Sequence, residues 1–305
     1  MRFRKRRVAT YVTDSIATAR PGVLFIVATP IGNLGNLGAR ARGLLRDADL
    51  LLAEDTRHTQ QLLHAVGIAR AASTIESLHE HNERERVAQV VERLKAGQSV
   101  ALVSDAGTPL VSDPGAPLVQ GAIAAGVEVV AVPGPCAAIA ALTVAGLPAD
   151  RHAFEGFLPA RPAARRKALE PLAAETRTLV FYEAPHRLVE TLVDLAATLG
   201  ADRPAAVVRE ITKRYERAYR ATLDELARLA ADDADMRRGE IVIVVRGAAA
   251  AVDPASVDAD RLLRELLAEL PASQAARIAA KVTGQPRKDL YDRALALAPA
   301  RAKRE

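Results

Sequence analysis

Tryptophan is absent, methionine occurs twice, and Cys136 is the one cysteine in 305 residues. A single thiol closes no internal disulfide and supplies no CxxC zinc site, which excludes a stapled secreted scaffold and a cysteine-built metal centre. Long hydrophobic runs are missing as well. Apolar stretches are strand-sized and interrupted by Gly, Pro or charge, too short for a membrane span. The Arg-rich N-terminus lacks the apolar core and small-residue cleavage site of a secretory signal. Aromatics amount to 3% of the chain, which argues against extensive base stacking. The expectation is a soluble cytoplasmic protein without a bound metal.

What is present is apolar bulk: half of the residues are hydrophobic. At this length that is enough for two packed domains and an appendage. The net charge of +5 is less informative than its location. Residues 1–22 hold six Lys/Arg against Asp14 alone, which accounts for all of the excess. That stretch reads as a disordered basic extension. From residue 23, strand and helix patterns alternate, with strands at 23–28, 50–53, 99–103 and 127–132 and helices near 39–46, 58–66 and 83–96. This is the signature of a mostly parallel sheet.

The pattern breaks at Gly-Leu-Pro-Ala-Asp, 146–150. It restarts with a basic helix, then strands at 178–182, 205–211, near 215–221 and 240–245, with a helix at 186–199. Adjacent strands on short connections suggest a mixed sheet. After an Ala-rich linker at 248–254 come three helical patterns, 258–269, 273–282 and 287–297. Ser273 reads as an N-cap and Gly284 as a stop, the outline of a helix-turn-helix. The expected domains are therefore 23–147, 148–248 and 255–300.

Three Gly/Pro loops each follow a strand of the first half, where open α/β sheets bind ligands. ATPIGNLGNLG (28–38) spaces its glycines as GxxGxxG, which fits neither a dinucleotide fingerprint nor a P-loop. SDAGTPLVSDPG (104–115) combines Gly and Pro, which fix the backbone, with Asp and Ser as polar ends. PGPCA (133–137) opens a helix. Charged groups also gather in EDTRHT (54–59), YEAPHR (182–187) and REITK (209–213). Arg209, Glu210 and Lys213 bunch where a strand exits toward a cleft, as an active site does and as a surface ion pair also does. Glu183, His186 and Arg187 suit either a site or a helix start. His79 and His81 form an HxH pair without a third ligand pattern and are read as a polar surface loop. Basic clusters at Arg161, Arg165, Arg166 and Lys167 and along 203–220 suit phosphate tracking.

Nine segments occur in order over residues 27–246: VATPIGNLGNL, AEDTRHTQQLL, HEHNE, LVSDAGTPLVSDPG, PGPCA, FEGFLP, FYEAPHRL, REITKRYE and GEIVIVV. This stretch resembles the tetrapyrrole methylase superfamily, and within it the 16S rRNA (cytidine-2'-O)-methyltransferases; KDLYDRALAL resembles the small helical domain of that branch. The resemblance implies an α/β, two-domain tetrapyrrole-methylase-like fold with a small C-terminal helical domain. It further implies S-adenosylmethionine bound between the halves by Pro30, Ile31, Ser104, Asp105, Ala106, Gly107, Thr108, Ser112, Asp113, Pro133, Gly134, Pro135, Tyr182 and Glu183. The implied reaction is 2'-O-methylation of cytidine 1402 in the decoding region of 16S rRNA, within the small ribosomal subunit, by a homodimer.

A ribose hydroxyl is a very weak acid, so a base is sought among Glu210, Lys213 and Glu183, with Asp55, Arg57 and His58 of EDTRHT and His186 also in reach. RNA contacts are expected at Arg57, His58, His79, His81, Arg165, Arg166, Lys167, His186, Arg187, Arg209, Arg287 and Lys288. Departures from the family pattern are Asn36 where Asp is common, Cys136 where Ser is expected, and Ile211 for Leu. The rival readings are a tetrapyrrole C-methyltransferase on the same fold, a diphthine-synthase-like methylase, and an RNA-binding factor without turnover.

Overall fold

The computed structural model describes residues 19–249 and 258–297. Most of the basic extension expected at 1–22 and most of the linker fall outside the described residues. The chain divides into two compact units, Met1–Ala248 and Ala249–Glu305.

The first unit opens with five strands: β1 (Val23–Val27), β2 (Leu50–Ala53), β3 (Ile75–Ser77), β4 (Val100–Val103) and β5 (Glu128–Val132). They pair in the order β3-β2-β4-β1-β5, all parallel. Parallel neighbours need long crossovers, and α1 (Ala39–Asp47), α2 (Thr56–Ala65), α3 (Glu83–Lys95) and α4 (Ala116–Ala124) supply them. Alternate residues serve opposite faces. Phe25, Leu51 and Ala101 pack with Leu44, Leu45 and Leu63 of α1 and α2, while Leu24, Leu52 and Leu102 pack with Val90, Leu94 and Leu118 of α3 and α4. Burial on both faces is why these strands read as unbroken apolar runs.

The chain then crosses through α5 (Ala137–Ala145) into β6 (His152–Phe157), α6 (Pro162–Leu169), β7 (Thr178–Glu183), α7 (Leu188–Leu199), β8 (Pro204–Arg209), β9 (Arg217–Thr222), α8 (Leu223–Asp232) and β10 (Ile241–Val245). The second sheet runs β6-β7-β10-β8-β9; only β6 and β7 are parallel. Phe181, Val207 and Ile243 face Leu188, Leu192 and Leu226. Val180, Val208 and Val242 face the small side chains Ala138 and Ala141 of α5, and Ile31 joins the same cluster. Helix α5 thus leaves the first sheet to pack on the second.

Two strands differ from the sequence expectation. β3 is three residues long, too short to carry a periodic signal. β6 precedes the basic helix that the pattern placed first; its register slips between Phe154 and Gly156, and Gly156 has φ of 64°. A bulge of this kind breaks the period of two on which strand recognition rests.

The second unit is a bundle of α9 (Ala259–Glu269), α10 (Ala272–Thr283) and α11 (Arg287–Leu297) around Leu263, Ala275, Ala276, Ala279, Leu290 and Ala294. Asp258 caps α9 by accepting from the N–H of Asp260 and Arg261, both at 3.1 Å. Gly284 ends α10 with φ of 68°, as its position suggested. Ser273 is not a cap, however: α10 already includes Ala272, and Pro271 stands at the cap position. No helix among the described residues is long and apolar enough to cross a membrane.

Candidate active site

Because β1, β2, β4 and β5 are parallel, their carboxyl ends present the three Gly/Pro loops and the start of α2 on one edge. Two threonines clasp the loops together. Thr29 exchanges backbone bonds with Gly107 (2.8 and 3.2 Å), and its hydroxyl donates to Ser104 O at 3.3 Å. The Thr108 hydroxyl donates to Pro135 O at 2.9 Å. Gly134 is pressed on Ala28, whose Cβ lies 2.9 Å from where a Gly134 side chain would begin. From the other side, Glu83 of α3 accepts the Gly115 N–H at 2.7 Å.

These loops and the second sheet enclose a cavity of about 410 Å3. The first half contributes Ile31, Glu54, Val111, Ser112, Asp113 and the stretch from Asp105 to Thr108. The second half contributes Phe157, Tyr182, Ile211 and the run from Gly239 to Val242, while Ala137 enters at the head of α5. Leu110, Ser112, Glu210 and Thr212 are the non-glycine residues with positive φ among those described, between 52° and 74°. All four sit in the two loops that border this cavity. Left-handed backbone at such residues is strained and persists where surrounding structure over-determines it, as at ligand sites.

Five carboxylates line the cavity, and three of them, Glu54, Asp105 and Asp113, come from the first half. Burial, reinforced by Asp113 and Asp105, pushes Glu54 above its ordinary value. Burial also raises Asp113, against a hydrogen bond from Ser104, with Asp105 adding to the rise. Asp105 is braced differently: Oδ1 accepts the Asp55 N–H at 3.0 Å and Oδ2 lies 2.9 Å from His58 Nδ1. That hydrogen bond raises the His58 pKa, with the Asp105 charge acting in the same direction. Asp55 caps α2 and also holds Arg57, which keeps the Asp55 carboxyl far below its usual range.

The expected cofactor residues Ile31, Asp105, Ala106, Gly107, Thr108, Ser112, Asp113, Tyr182 and Glu183 do line the cavity. Ser104, Gly134 and Pro135 brace the loops instead, with Pro30 and Pro133 beside them in the chain. Tyr182 is fixed by accepting the Ala138 N–H at 3.2 Å and by edge-on contacts with Phe154 and Phe157; burial raises its pKa. Sequence reasoning missed Glu54, Phe157 and the 239–242 wall. Glu54 was discoverable, since it adjoins Asp55 at a strand end.

A sulfonium nucleoside suits this chamber. The apolar wall of Ile31, Val111, Ala137, Ile211 and Val242 offers a slot for a flat base. The carboxylates offer acceptors for hydroxyls and partners for cations. Gly107, with φ of 89°, lets backbone approach where a Cβ would meet Ile31 at 3.3 Å.

Each of the three expected bases is engaged by neighbouring groups of the protein. Glu183 is buried and held on several sides: it accepts from Thr191 Oγ1 (2.5 Å) and Ala184 N (2.7 Å), and the Arg187 guanidinium lies 3.1 Å away. It anchors the start of α7, and its paired side chain is shut off from solvent. Lys213 Nζ sits 2.7 Å from both Glu210 and Glu240. Burial works against its charge, but the two carboxylates outweigh it, so its pKa rises and it stays protonated. Burial of Glu210 is in turn overcome by Lys213 and the Glu240 N–H, and its pKa falls. The Lys213 stem also crosses Gly32, where a Cβ would meet its Cγ at 2.4 Å.

The expected RNA contacts divide. Arg57, His58, His81, Arg166, Lys167, His186, Arg287 and Lys288 are exposed. Arg165 is not: it is 1% exposed, and its Nε donates to Asp194 at 2.6 Å. Arg209 is also buried and donates to Arg238 O at 3.1 Å. Arg165 thus spends its charge on an internal carboxylate, and Arg209 is held by backbone. Arg187 is half-buried and donates to Leu158 O at 2.6 Å. His79 is half-buried with Nδ1 unpartnered among the described residues, its ring edge-on to His81 at 5.8 Å.

Comparison with known proteins agrees with this arrangement. Residues 23–227 match the family model of Tetrapyrrole (Corrin/Porphyrin) Methylases, and residues 253–298 match the RsmI C-terminal HTH domain. The chain is 54% identical to Ribosomal RNA small subunit methyltransferase I of Xylella fastidiosa, over 89% of this chain and 98% of that one. It is 49% identical to the protein of the same name in Pseudomonas aeruginosa, over 90% and 97%. The solved uroporphyrin-III-C-methyltransferase of Thermus thermophilus shares the fold, with a TM-score of 0.51 at 19% identity, over 74% of this chain and 94% of that one. The chain belongs to the tetrapyrrole methylase family and, within it, to the ribosomal RNA small subunit methyltransferase I group.

Proposed function

We propose that this chain methylates the ribose 2'-oxygen of a cytidine in 16S ribosomal RNA, cytidine 1402 of the decoding region, within the small ribosomal subunit. The observation that carries the reading is 54% identity extending over 98% of a relative named for small-subunit ribosomal RNA methylation. When bound, S-adenosylmethionine supplies a methyl group already activated by its positive sulfur.

The chain's own task is then to position and to neutralise. The apolar wall and the Gly107 backbone hold the nucleoside, while Glu54 and Asp113, uncomfortable as buried anions, gain from a cation beside them. Tyr182, locked by Ala138, and Ile211, held between strained neighbours, fix the far wall so that donor and acceptor meet in line. Lys213, kept protonated, holds Glu210 and Glu240 and so sets the shape of that wall. Exposed cations meet the phosphates: Arg57, Lys167, Arg214 and Arg217 on the first unit, and Arg287 and Lys288 on the helical unit. The protein works in the cytoplasm as a homodimer, for which the exposed Ile123 and Ile139 offer apolar surface.

The test is methyl transfer from labelled S-adenosylmethionine to purified small subunits, naked 16S rRNA and uroporphyrinogen III, with products digested and mapped by mass spectrometry. A 2'-O-methylated cytidine in the rRNA is the expected outcome. Label on the tetrapyrrole alone overturns the substrate.

A further inference from the structure

Methyl transfer to a ribose needs somewhere for the hydroxyl proton to go, and the cavity wall offers no free base. Lys213 is protonated, Glu210 is tied to it, and Glu183 is sealed. Glu54 and Asp113 face the space that suits a cation. The remaining candidate is at the rim. Asp105 lines the cavity, and its carboxylate holds His58 at 2.9 Å. A charged carboxylate has only lone pairs, so the Nδ1 it contacts must donate. The neutral ring then carries its free lone pair on Nε2.

We propose that His58 is the catalytic base that takes the proton of the attacking ribose hydroxyl, and that Asp105 is the positioning residue that fixes its tautomer and orientation. This rests on the ribose substrate argued above. In the step, the 2'-O–H bond breaks and its proton passes to Nε2. The oxygen pair forms the new O–C bond, and the C–S bond breaks with its electrons left on sulfur. The positive charge of the donor thus ends on the imidazolium, next to Asp105.

Three observations support the assignment. The Asp105 carboxylate is itself held, through Oδ1, by the Asp55 N–H at 3.0 Å, so the pair cannot swing freely. The His58 side chain is 58% exposed, and Nε2 has no partner among the described residues, so a substrate can reach it. The charges that face the ring are Asp105 from the loop after β4, and Asp55 and Arg57 from the start of its own helix. Asp55 and Arg57 pair with each other at 2.6 Å. Asp105 is therefore the counter-ion that stabilises the protonated ring, and it makes the ring a stronger base.

The experiment is a pH–rate profile under single-turnover conditions, with small subunits as substrate, for wild type, His58→Gln and His58→Ala. Calorimetry with S-adenosylmethionine and an equilibrium subunit-binding assay accompany it. His58→Gln should bind both within about twofold of wild type yet lose ~100-fold or more in rate, together with the acid limb of the profile. Added imidazole should restore part of the His58→Ala rate. By NMR, Asp105→Asn should lower the His58 pKa. A His58→Gln protein that weakens subunit binding while keeping rate and acid limb at saturation overturns the assignment and makes His58 an RNA contact. Loss of the acid limb in Glu54→Gln, with His58→Gln unaffected, overturns it in favour of that carboxylate. A wild-type protein that methylates no ribosomal RNA overturns the substrate reading itself, and this one with it.

Discussion

The two walls of the cavity treat charge in opposite ways. On the first-half wall, Glu54 and Asp113 are partly buried, crowd Asp105 and have no cation to offset them among the described residues. On the second-half side, charges are neutralised inside the protein: Glu183 by Arg187 and Thr191, Glu210 and Glu240 by Lys213, Asp194 by Arg165 and Arg166. One wall is incomplete without a ligand and the other is complete by itself. Substitutions on the second side should therefore cost stability, whereas those on the first should cost ligand affinity and spare the fold, or even strengthen it.

The largest effect belongs to the second side. Arg165→Ala leaves the buried Asp194 with Arg166 alone and should destabilise the protein by about 3 kcal/mol in urea denaturation, the low end of the cost of breaking a buried pair. Its neighbour Lys167 is exposed, with no ion pair among the described residues. Lys167→Ala should leave stability within about 0.5 kcal/mol of wild type and reduce the salt dependence of RNA binding by about one phosphate contact. Equal stabilities for the two variants would erase the contrast between internally paired and free charges.

Arg165 and Lys167 also show where sequence stops being informative. Both stand in RPAARRK, and composition gives them the same role. Only α7, carrying Asp194 beneath α6, separates them, and that is a tertiary fact. The same holds for the cavity. Its first wall is legible because parallel strands end together, so each loop is one contiguous motif such as SDAGTPLVSDPG. The second wall is assembled by antiparallel pairing, which sets Ile241 opposite both Glu183 and Arg209. GEIVIVV records the segment but not that register, so the sequence reads the 239–242 run as part of a strand and not as a wall. Contacts inside the fold are equally hidden from sequence: Glu183 lines the cavity, and Thr191, eight residues on, donates to its carboxylate.

Next in size is Gly239→Ala. A Cβ there would lie 2.1 Å from Glu210 Oε1, on backbone with φ of 75°. Glu210 must move, and the Lys213 bridge with it. A cost of about 1–3 kcal/mol in stability is expected from the forced backbone alone, with methyl transfer falling further than cofactor affinity. A variant that keeps full activity would detach the Glu210–Lys213–Glu240 network from the wall's shape.

The first wall is tested by pH. Burial raises Glu54 and Asp113 from their ordinary values, so as pH falls they take up protons sooner than solvated carboxylates would. Their attraction for a cation then fades. S-adenosylmethionine should bind more weakly with each step of acidification. S-adenosylhomocysteine, which lacks the sulfonium charge, should depend less on pH. Parallel curves from calorimetry would mean that the carboxylates do not face the sulfur.

The smallest effect is the sharpest test of the asymmetry. A carboxyl whose pKa is higher in the folded than in the unfolded protein lowers stability once it is ionised, so its cost is absent at low pH and grows as pH rises through the folded value. Glu54→Gln removes that cost without changing shape. Its melting temperature should rise by about 2 °C at pH 8, the scale of a modest stabilisation in a domain of this size, and the gain should shrink toward zero near pH 4. Cofactor affinity should fall in the same variant, because Gln offers the ligand no charge. Thermal scans at the two pH values, alone and with S-adenosylmethionine, distinguish the cases. A gain in the free protein that reverses when the ligand is added means that Glu54 is a poor neighbour for the empty fold and a good one for the loaded enzyme. A loss in both states would place Glu54 with the internally paired charges of the second side, and the contrast between the walls would not hold.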